Sequence, residues 1–233
     1  MPTKPTHLIA IGGLLPEKES LPLCEYVLRQ SGKRRPAIGF VPTATGDASR
    51  SLERFDALFG SLDCRRSHLE LFDRTPDLKE FIAAQDVIFV GGGNTKSMLA
   101  VWREWGLPQL LKRAWLGGTV LAGWSAGAIC WFEQGLTDSF ADRLTPLDCL
   151  GFLPGSCAPH YDGEPERRPA YQKLIRQKRL RSGIAIEDGA GVHFRGKRAA
   201  RVICPATTAG AWTVGIQNGK VVERPLQVER IEC

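Results

Sequence analysis

The sequence predicts an α/β fold: a doubly wound, mostly parallel sheet flanked by helices, with antiparallel strands at the C-terminal end. Three observations carry the prediction. In the first two-thirds of the chain, short apolar runs alternate with amphipathic stretches, the pattern of a sheet covered on both faces. Each apolar run there is followed by a stretch that reads as a helix, as parallel strands joined by crossovers require. Beyond about Ile184 the runs shorten and turns separate them, Asn218-Gly219 being a strong hairpin signal.

The first strand is expected over residues 8–11 and the first helix over 17–30. Strand and helix follow at 37–41 and 48–59, at 69–72 and 77–84, and at 87–90 and 95–115. Gly106-Leu107-Pro108 interrupts the last helix, because proline removes a backbone donor and clashes with the preceding turn. A fifth strand, 119–122, runs into a helix that begins over 126–131. Segments 183–187, 191–194, 200–203, 211–216 and 220–223 are the short strands of the tail, extending or flanking the sheet.

Composition narrows the class. A chain of 233 residues, 43% hydrophobic, suffices for one large domain spanning residues 1–233 with a proper core. Residues 1–7 are polar and contain proline, and no apolar stretch approaches the roughly 18 residues of a membrane span, so neither signal peptide nor membrane contact is expected. Cys24, Cys64, Cys130, Cys149, Cys157, Cys204 and Cys233 are odd in number, scattered and without CxxC pairs. That usage suits reduced thiols in the cytoplasm and no zinc site. The net charge of +6 is dispersed. The runs Lys33-Arg34-Arg35 and Lys178-Arg179-Leu180-Arg181 sit where helices end and complement the helix dipole, so nucleic acid is not an expected partner.

Two turns carry the chemistry. Thr119-Val120-Leu121-Ala122 reads as a buried strand and Ala126 opens a helix, which puts Ser125 on the bend of Gly123-Trp124-Ser125-Ala126-Gly127. This is where a G-x-S-x-G nucleophile belongs; the bland alternative is an ordinary N-cap serine. Small neighbours are needed because the chain reverses sharply and the helix passes close to the strand. The second turn is Gly91-Gly92-Gly93-Asn94-Thr95, directly after the strand Val87-Ile88-Phe89-Val90. Consecutive glycines let backbone N–H groups face a cavity, as an oxyanion hole needs, and Gly92, Gly93 and Ala126 are the expected donors. A phosphate loop is the alternative, but neither the Walker lysine spacing nor GxGxxG is present.

A serine nucleophile needs an imidazole, and the chain has four histidines. His7 precedes the first strand, at what should be the opposite edge, His68 introduces a strand, and His193 lies within a hairpin strand. His160 opens a polar loop after Cys157-Ala158-Pro159 and is the expected base. For the orienting acid, Glu187-Asp188 follows the strand Gly183-Ile184-Ala185-Ile186, and their side chains should point in opposite directions. Asp188 is preferred, with Glu187 and Asp138 as alternatives.

With Gly91-Gly92-Gly93-Asn94-Thr95, Gly123-Trp124-Ser125-Ala126-Gly127-Ala128 and Pro159-His160-Tyr161 in this order, the chain resembles the peptidase E and cyanophycinase family of serine peptidases over roughly residues 38–194. The resemblance implies a fold like class I glutamine amidotransferase domains, with serine in place of the elbow cysteine, Ser125 as nucleophile and His160 as base. It also implies the acid at Asp188, or at Glu187. The order serine, histidine, acid differs from that of the usual α/β-hydrolases.

Members resemble an aspartyl dipeptidase or an enzyme cutting a β-aspartyl-arginine polymer, so a small peptide with an aspartyl or related group is the expected substrate. Arg167 and Arg168 are candidate carboxylate binders by bidentate pairing, a surface pairing with Glu164 or Glu166 being the alternative. Asn94 and Tyr161 complete the candidate substrate-binding set. An acyl-enzyme is expected, with no metal or organic cofactor. The rival is a noncatalytic domain of the same fold that binds a small amino-acid ligand. The oligomeric state stays open, a homodimer included.

Overall fold

A computed structural model describes residues 5–141, 143–205 and 208–229. Cys233 and residues 1–4 of the expected leaderless N-terminus lie outside them. Five strands, β1 (His7–Ile11), β2 (Ala37–Val41), β3 (Arg65–His68), β4 (Val87–Val90) and β5 (Val120–Trp124), run parallel in the spatial order β1-β5-β4-β2-β3. Helices α1 (Glu17–Arg29) and α2 (Ser49–Phe59) cover one face. Helices α3 (Leu78–Ala83), α4 (Thr95–Glu104) and α5 (Leu107–Leu116) cover the other.

The alternation of strand side chains explains why the strand sequences are apolar throughout. Ile9 and Ile11 of β1 join Leu23 and Val27 of α1, with Phe40, Phe55 and Phe89, in one core. Leu8 and Ala10 of the same strand join Leu99, Trp102 and Leu111 in the other. A strand buried on both faces has no polar side to show.

The third strand is displaced from its expected position at 69–72 to Arg65–His68. Among the described residues it is the edge of the sheet and pairs with β2 alone, so its side chains are mostly exposed and carry little hydrophobic signal. Leu69 and Leu71, which drew the assignment, are buried just past the strand end. There Asp47 accepts from the Leu71 backbone N–H at 2.5 Å.

The remaining elements are α6 (Ala126–Ile129), β6 (Phe132–Thr137), β7 (Thr145–Asp148), β8 (Leu153–Ala158), α7 (Arg167–Arg176), β9 (Gly183–Ile186), β10 (Gly191–Arg195), β11 (Arg198–Ile203), β12 (Ala211–Gln217), β13 (Lys220–Pro225) and β14 (Val228–Glu229). The tail divides between two sheets. β10 pairs antiparallel with β1, and β11 and β14 continue that eight-stranded sheet. β9, β12 and β13 join β6, β7 and β8 in a second sheet, ordered β13-β12-β9-β8-β6-β7. Its packing against α7 buries Tyr171, Leu174, Ile175 and Val214. Among the described residues no helix is long and apolar enough to cross a membrane.

Beside the middle of β1, a buried histidine makes stability depend on pH. His193 of β10 is fully buried in register with Ile9. Its Nε2 lies 2.9 Å from His7 Nδ1 and its Nδ1 2.8 Å from the Tyr26 hydroxyl. Burial first, then the neighbouring His7, Arg195 and Arg201, pulls its pKa down to about 3. The folded value lies below the unfolded one of about 6.5, so the unfolded chain takes up the proton first. The stabilisation is complete above about 6.5 and is lost as the pH falls through the interval down to the folded value, at up to ~1.4 kcal/mol per pH unit. Urea unfolding at neutral and acidic pH should give a shallower loss for His193→Leu than for the wild type. Parallel curves would refute the assignment.

Candidate active site

The C-terminal ends of β1, β5, β4 and β2 form one rim of the large sheet, where open α/β sheets commonly bind ligands. Ser125 stands on this rim between β5 and α6 with φ 55° and ψ −114°, a conformation that costs a non-glycine residue on the order of 1–3 kcal/mol. Its backbone N–H donates to Ile11 O at 3.1 Å and so ties the bend to β1. The small neighbours are required by contact. A Cβ on Gly127 would lie 2.3 Å from Val90 O, and one on Gly123 would lie 2.6 Å from the carbonyl oxygens of Val90 and Gly127. The helix after the bend is four residues long and gives way to β6, shorter than the expected one through Trp131.

The glycine run after β4 lies beside the serine. A Cβ on Gly92 would stand 3.1 Å from Ser125 Cβ, and Gly93, at φ +136°, backs onto Ala44 O. Among the described residues, the backbone N–H groups of Gly92, Gly93 and Ala126 donate to no other group.

His160 shares the cavity with Ser125, Gly92 and Gly93, a space of about 520 Å³. Its Nδ1 lies 2.6 Å from Asp188 Oδ1. Asp188 is set by backbone contacts. Its N–H donates to Asp162 Oδ1 at 2.9 Å, and a bridge pairs it with Gly13. The pair is packed on two glycines that sequence reasoning passed over. A Cβ on Gly13 would come 2.0 Å from Asp188 Oδ1 and 2.7 Å from His160 Nδ1, and one on Gly163 would come 2.3 Å from Asp188 Oδ2. A strand running into Gly12-Gly13 was the available signal.

The other carboxylates are engaged elsewhere. Glu187 points away from Asp188, as strand alternation requires, and accepts from Trp212 Nε1 at 3.0 Å and Gly210 N at 2.7 Å. Asp138 lies 3.5 Å from Arg167.

The structure does not bring the expected substrate-binding set together at the cavity. Asn94 is the N-cap of α4, its Oδ1 accepting from Ser97 N at 2.9 Å while Nδ2 donates to Ser139 O at 3.3 Å. Tyr161 is buried toward the second sheet and donates to Glu223; burial and that carboxylate push its phenol well above the ordinary range. Arg167 is 3% exposed, donates to Glu164 Oε2 at 2.5 Å and reaches Leu136 O, which makes it a buried anchor of α7. Arg168 pairs with Glu223 and lies over the rings of Tyr161 and Trp212. Arg167 thus pairs with Glu164, the partner named from sequence, but from a buried position rather than on the surface. In place of these four, the cavity wall carries Arg50, Arg54, Ser51 and Thr45, which were not singled out from sequence. Arg50 and Arg54, spaced by four at the start of a helix that follows a rim strand, were the missed signal. Among the described residues no group of three His, Cys, Asp or Glu side chains could hold a metal ion.

Comparison with known proteins adds an independent line. The profile of peptidase family S51 matches residues 8–202. A Bacillus subtilis (strain 168) protein described as "Uncharacterized peptidase YgaJ" is 48% identical over 219 residues, covering 94% of this chain and 95% of that protein. Peptidase E of Shewanella oneidensis is 27% identical over 161 residues, 62% of this chain and 66% of its own length. Among solved structures, a peptidase from an acI-B1 Actinobacterium superposes with a TM-score of 0.71 at 17% identity, covering 97% of this chain and 96% of that one. A putative peptidase E from Listeria monocytogenes EGD-e does so at 0.61 and 20%, covering 96% and 100%.

Proposed function

Because the chain belongs to peptidase family S51, the peptidase E family, and is a serine-type peptidase, we propose that Ser125, His160 and Asp188 are its triad and a small peptide its substrate. The observation that carries this reading is the 2.6 Å contact between His160 and Asp188 beside the strained serine's cavity. Asp188 accepts from Nδ1–H and so fixes the tautomer that leaves Nε2 free to act as base.

The cycle follows from these positions. His160 takes the Ser125 proton as Oγ attacks the scissile carbonyl, and the N–H groups of Gly92 or Gly93 and of Ala126 donate to the oxyanion. His160 then protonates the leaving amine, which departs as the acyl-enzyme forms. Water, deprotonated by the same imidazole, attacks the ester and restores the serine. The steps use no metal or organic cofactor.

An aspartyl or related small peptide is the substrate that the resemblance to peptidase E favours. One apolar core contains residues of both sheets, from Leu8 to Cys157 and Ala211, and supports a single hydrolase domain over residues 1–233. Cys24, Cys64, Cys130, Cys149, Cys157 and Cys204 are free thiols and suit a cytoplasmic setting.

A fluorophosphonate probe should add one adduct to the folded protein, seen by intact mass, and peptide mapping should locate it at Ser125. Labelling at another residue, or none, would remove the mechanism.

A further inference from the structure

Two arginines on the cavity wall have no acidic partner among the described residues. Arg50 and Arg54 stand one turn apart on α2 and line the cavity of Ser125 and His160. No side chain lining that cavity is a carboxylate. Among the described residues neither arginine makes an ion pair, whereas Arg66 on the neighbouring strand pairs with Asp56 of the same helix at 3.0 Å. Two cations and no anion around one space make an anion site, because a guanidinium fork offers paired donors that match a carboxylate.

Arg54 is also held in place. Its guanidinium carbon lies 5.8 Å from the centre of the Trp124 ring, and one Nη donates to Leu14 O at 3.4 Å. Trp124 is fixed in turn by stacking on Phe40, with centroids 5.9 Å apart and planes at 2°. Since Trp124 immediately precedes Ser125, the cation is tied to the residue adjoining the proposed nucleophile. Most of its five donors remain for a ligand.

We infer that Arg50 and Arg54 bind a carboxylate of the peptide substrate and set specificity, the part expected from sequence of Arg167 and Arg168. This rests on Ser125 marking the scissile bond. A short peptide offers two such carboxylates near that bond, an acidic side chain and the free C-terminus.

Two peptide pairs separate these sources. Asp-Leu amide against Asn-Leu amide differs only in the side-chain carboxylate, and Leu-Leu against Leu-Leu amide only in the terminal one. The wild type should prefer the carboxylate in at least one pair. The double variant Arg50→Gln/Arg54→Gln should cut that ratio of kcat/KM at least tenfold, chiefly through KM, and the pair affected identifies the source. Arg54→Lys should restore part of the preference by charge without the bidentate fork, and it decides the matter if the double variant melts early. Unchanged ratios in both pairs, or no preference in the wild type, overturn the inference.

Calorimetric titration of the same peptides into Ser125→Ala, with and without the arginine substitutions, reads binding without turnover. Arginine-dependent binding, together with a wild type that resists the fluorophosphonate, would sink the triad and leave the arginines standing. Labelling of Ser125 without arginine-dependent binding would do the reverse.

Discussion

Replacing Ser125 by alanine is expected to lower kcat/KM by about 10⁴- to 10⁶-fold, the range found when a triad nucleophile is removed. The covalent bond to the acyl group forms at Oγ, and no other hydroxyl takes up the same position on the bend. The residue is half-buried and its side chain caps no helix, so the melting temperature should move little, with a stability change within about 1 kcal/mol. The positive φ belongs to the backbone and burdens serine and alanine alike. Steady-state kinetics and a thermal melt on one preparation test both halves. A variant retaining a tenth of the activity would exclude Ser125 as the nucleophile.

Asp188→Asn is expected to cost about 10²- to 10⁴-fold in kcat, and Glu187→Gln less than about threefold. The two residues are adjacent, yet their partners differ. Asp188 faces His160 Nδ1 at 2.6 Å, whereas Glu187 accepts from Trp212 and Gly210. An asparagine amide can turn its NH2 toward the imidazole, which holds the wrong tautomer and leaves the developing imidazolium without a counter-charge. Glu187→Gln instead weakens the attachment of β12, and its effect should appear in stability, about 1 kcal/mol by loss of a charge-assisted hydrogen bond. Equal losses of activity in the two variants would show that the acid is not assigned to one of them. Kinetics and urea unfolding of both proteins supply the comparison.

The parts of the fold readable from sequence were those with local causes. Fully buried strands such as Val87-Ile88-Phe89-Val90 are apolar at every position, and the break at Gly106 with Pro108 separates α4 from α5 where the missing donor requires it. Strands β6, β7 and β8 carry weak sequence signals for an equally local reason. Phe132-Glu133-Gln134-Gly135 and Leu153-Pro154-Gly155-Ser156 carry glycine, proline and charge, and pairing of β6 with β8 and of β8 with β9 overrides their weak propensity. The tail strands were found, but their division between two sheets depends on partners far away in sequence.

The site divided the same way. Ser125 and His160 could be picked out by motif and elimination, and the alternation of Glu187 with Asp188 by strand geometry. Arg167 resembled a ligand group because charge in a polar loop does not reveal burial. In the structure it is nearly inaccessible and satisfied by Glu164 and Asp138. Arg50 and Arg54 are signalled only by their spacing of four after a rim strand, and that spacing does not by itself report that the start of α2 faces the cavity. Gly13 and Gly163 meet Asp188 from distant segments, and that approach is written in no single stretch of chain.

The Gly13–Asp188 bridge gives the molecule a seam. On one side is the end of β1, the strand of the eight-stranded sheet that pairs with β5 and accepts the Ser125 backbone N–H at Ile11; on the other is the end of β9, a member of the six-stranded sheet, which delivers the proposed acid. The Gly189 N–H donates to Gly13 O at 2.9 Å and the Gly12 N–H to Ala190 O at 3.0 Å beside it, so the imidazole's support reaches the serine's side through this short run of backbone contacts. In the proposed mechanism, the nucleophile and the acid arrive from opposite sides of this joint, so activity depends on the contact between the two sheets as well as on either sheet alone.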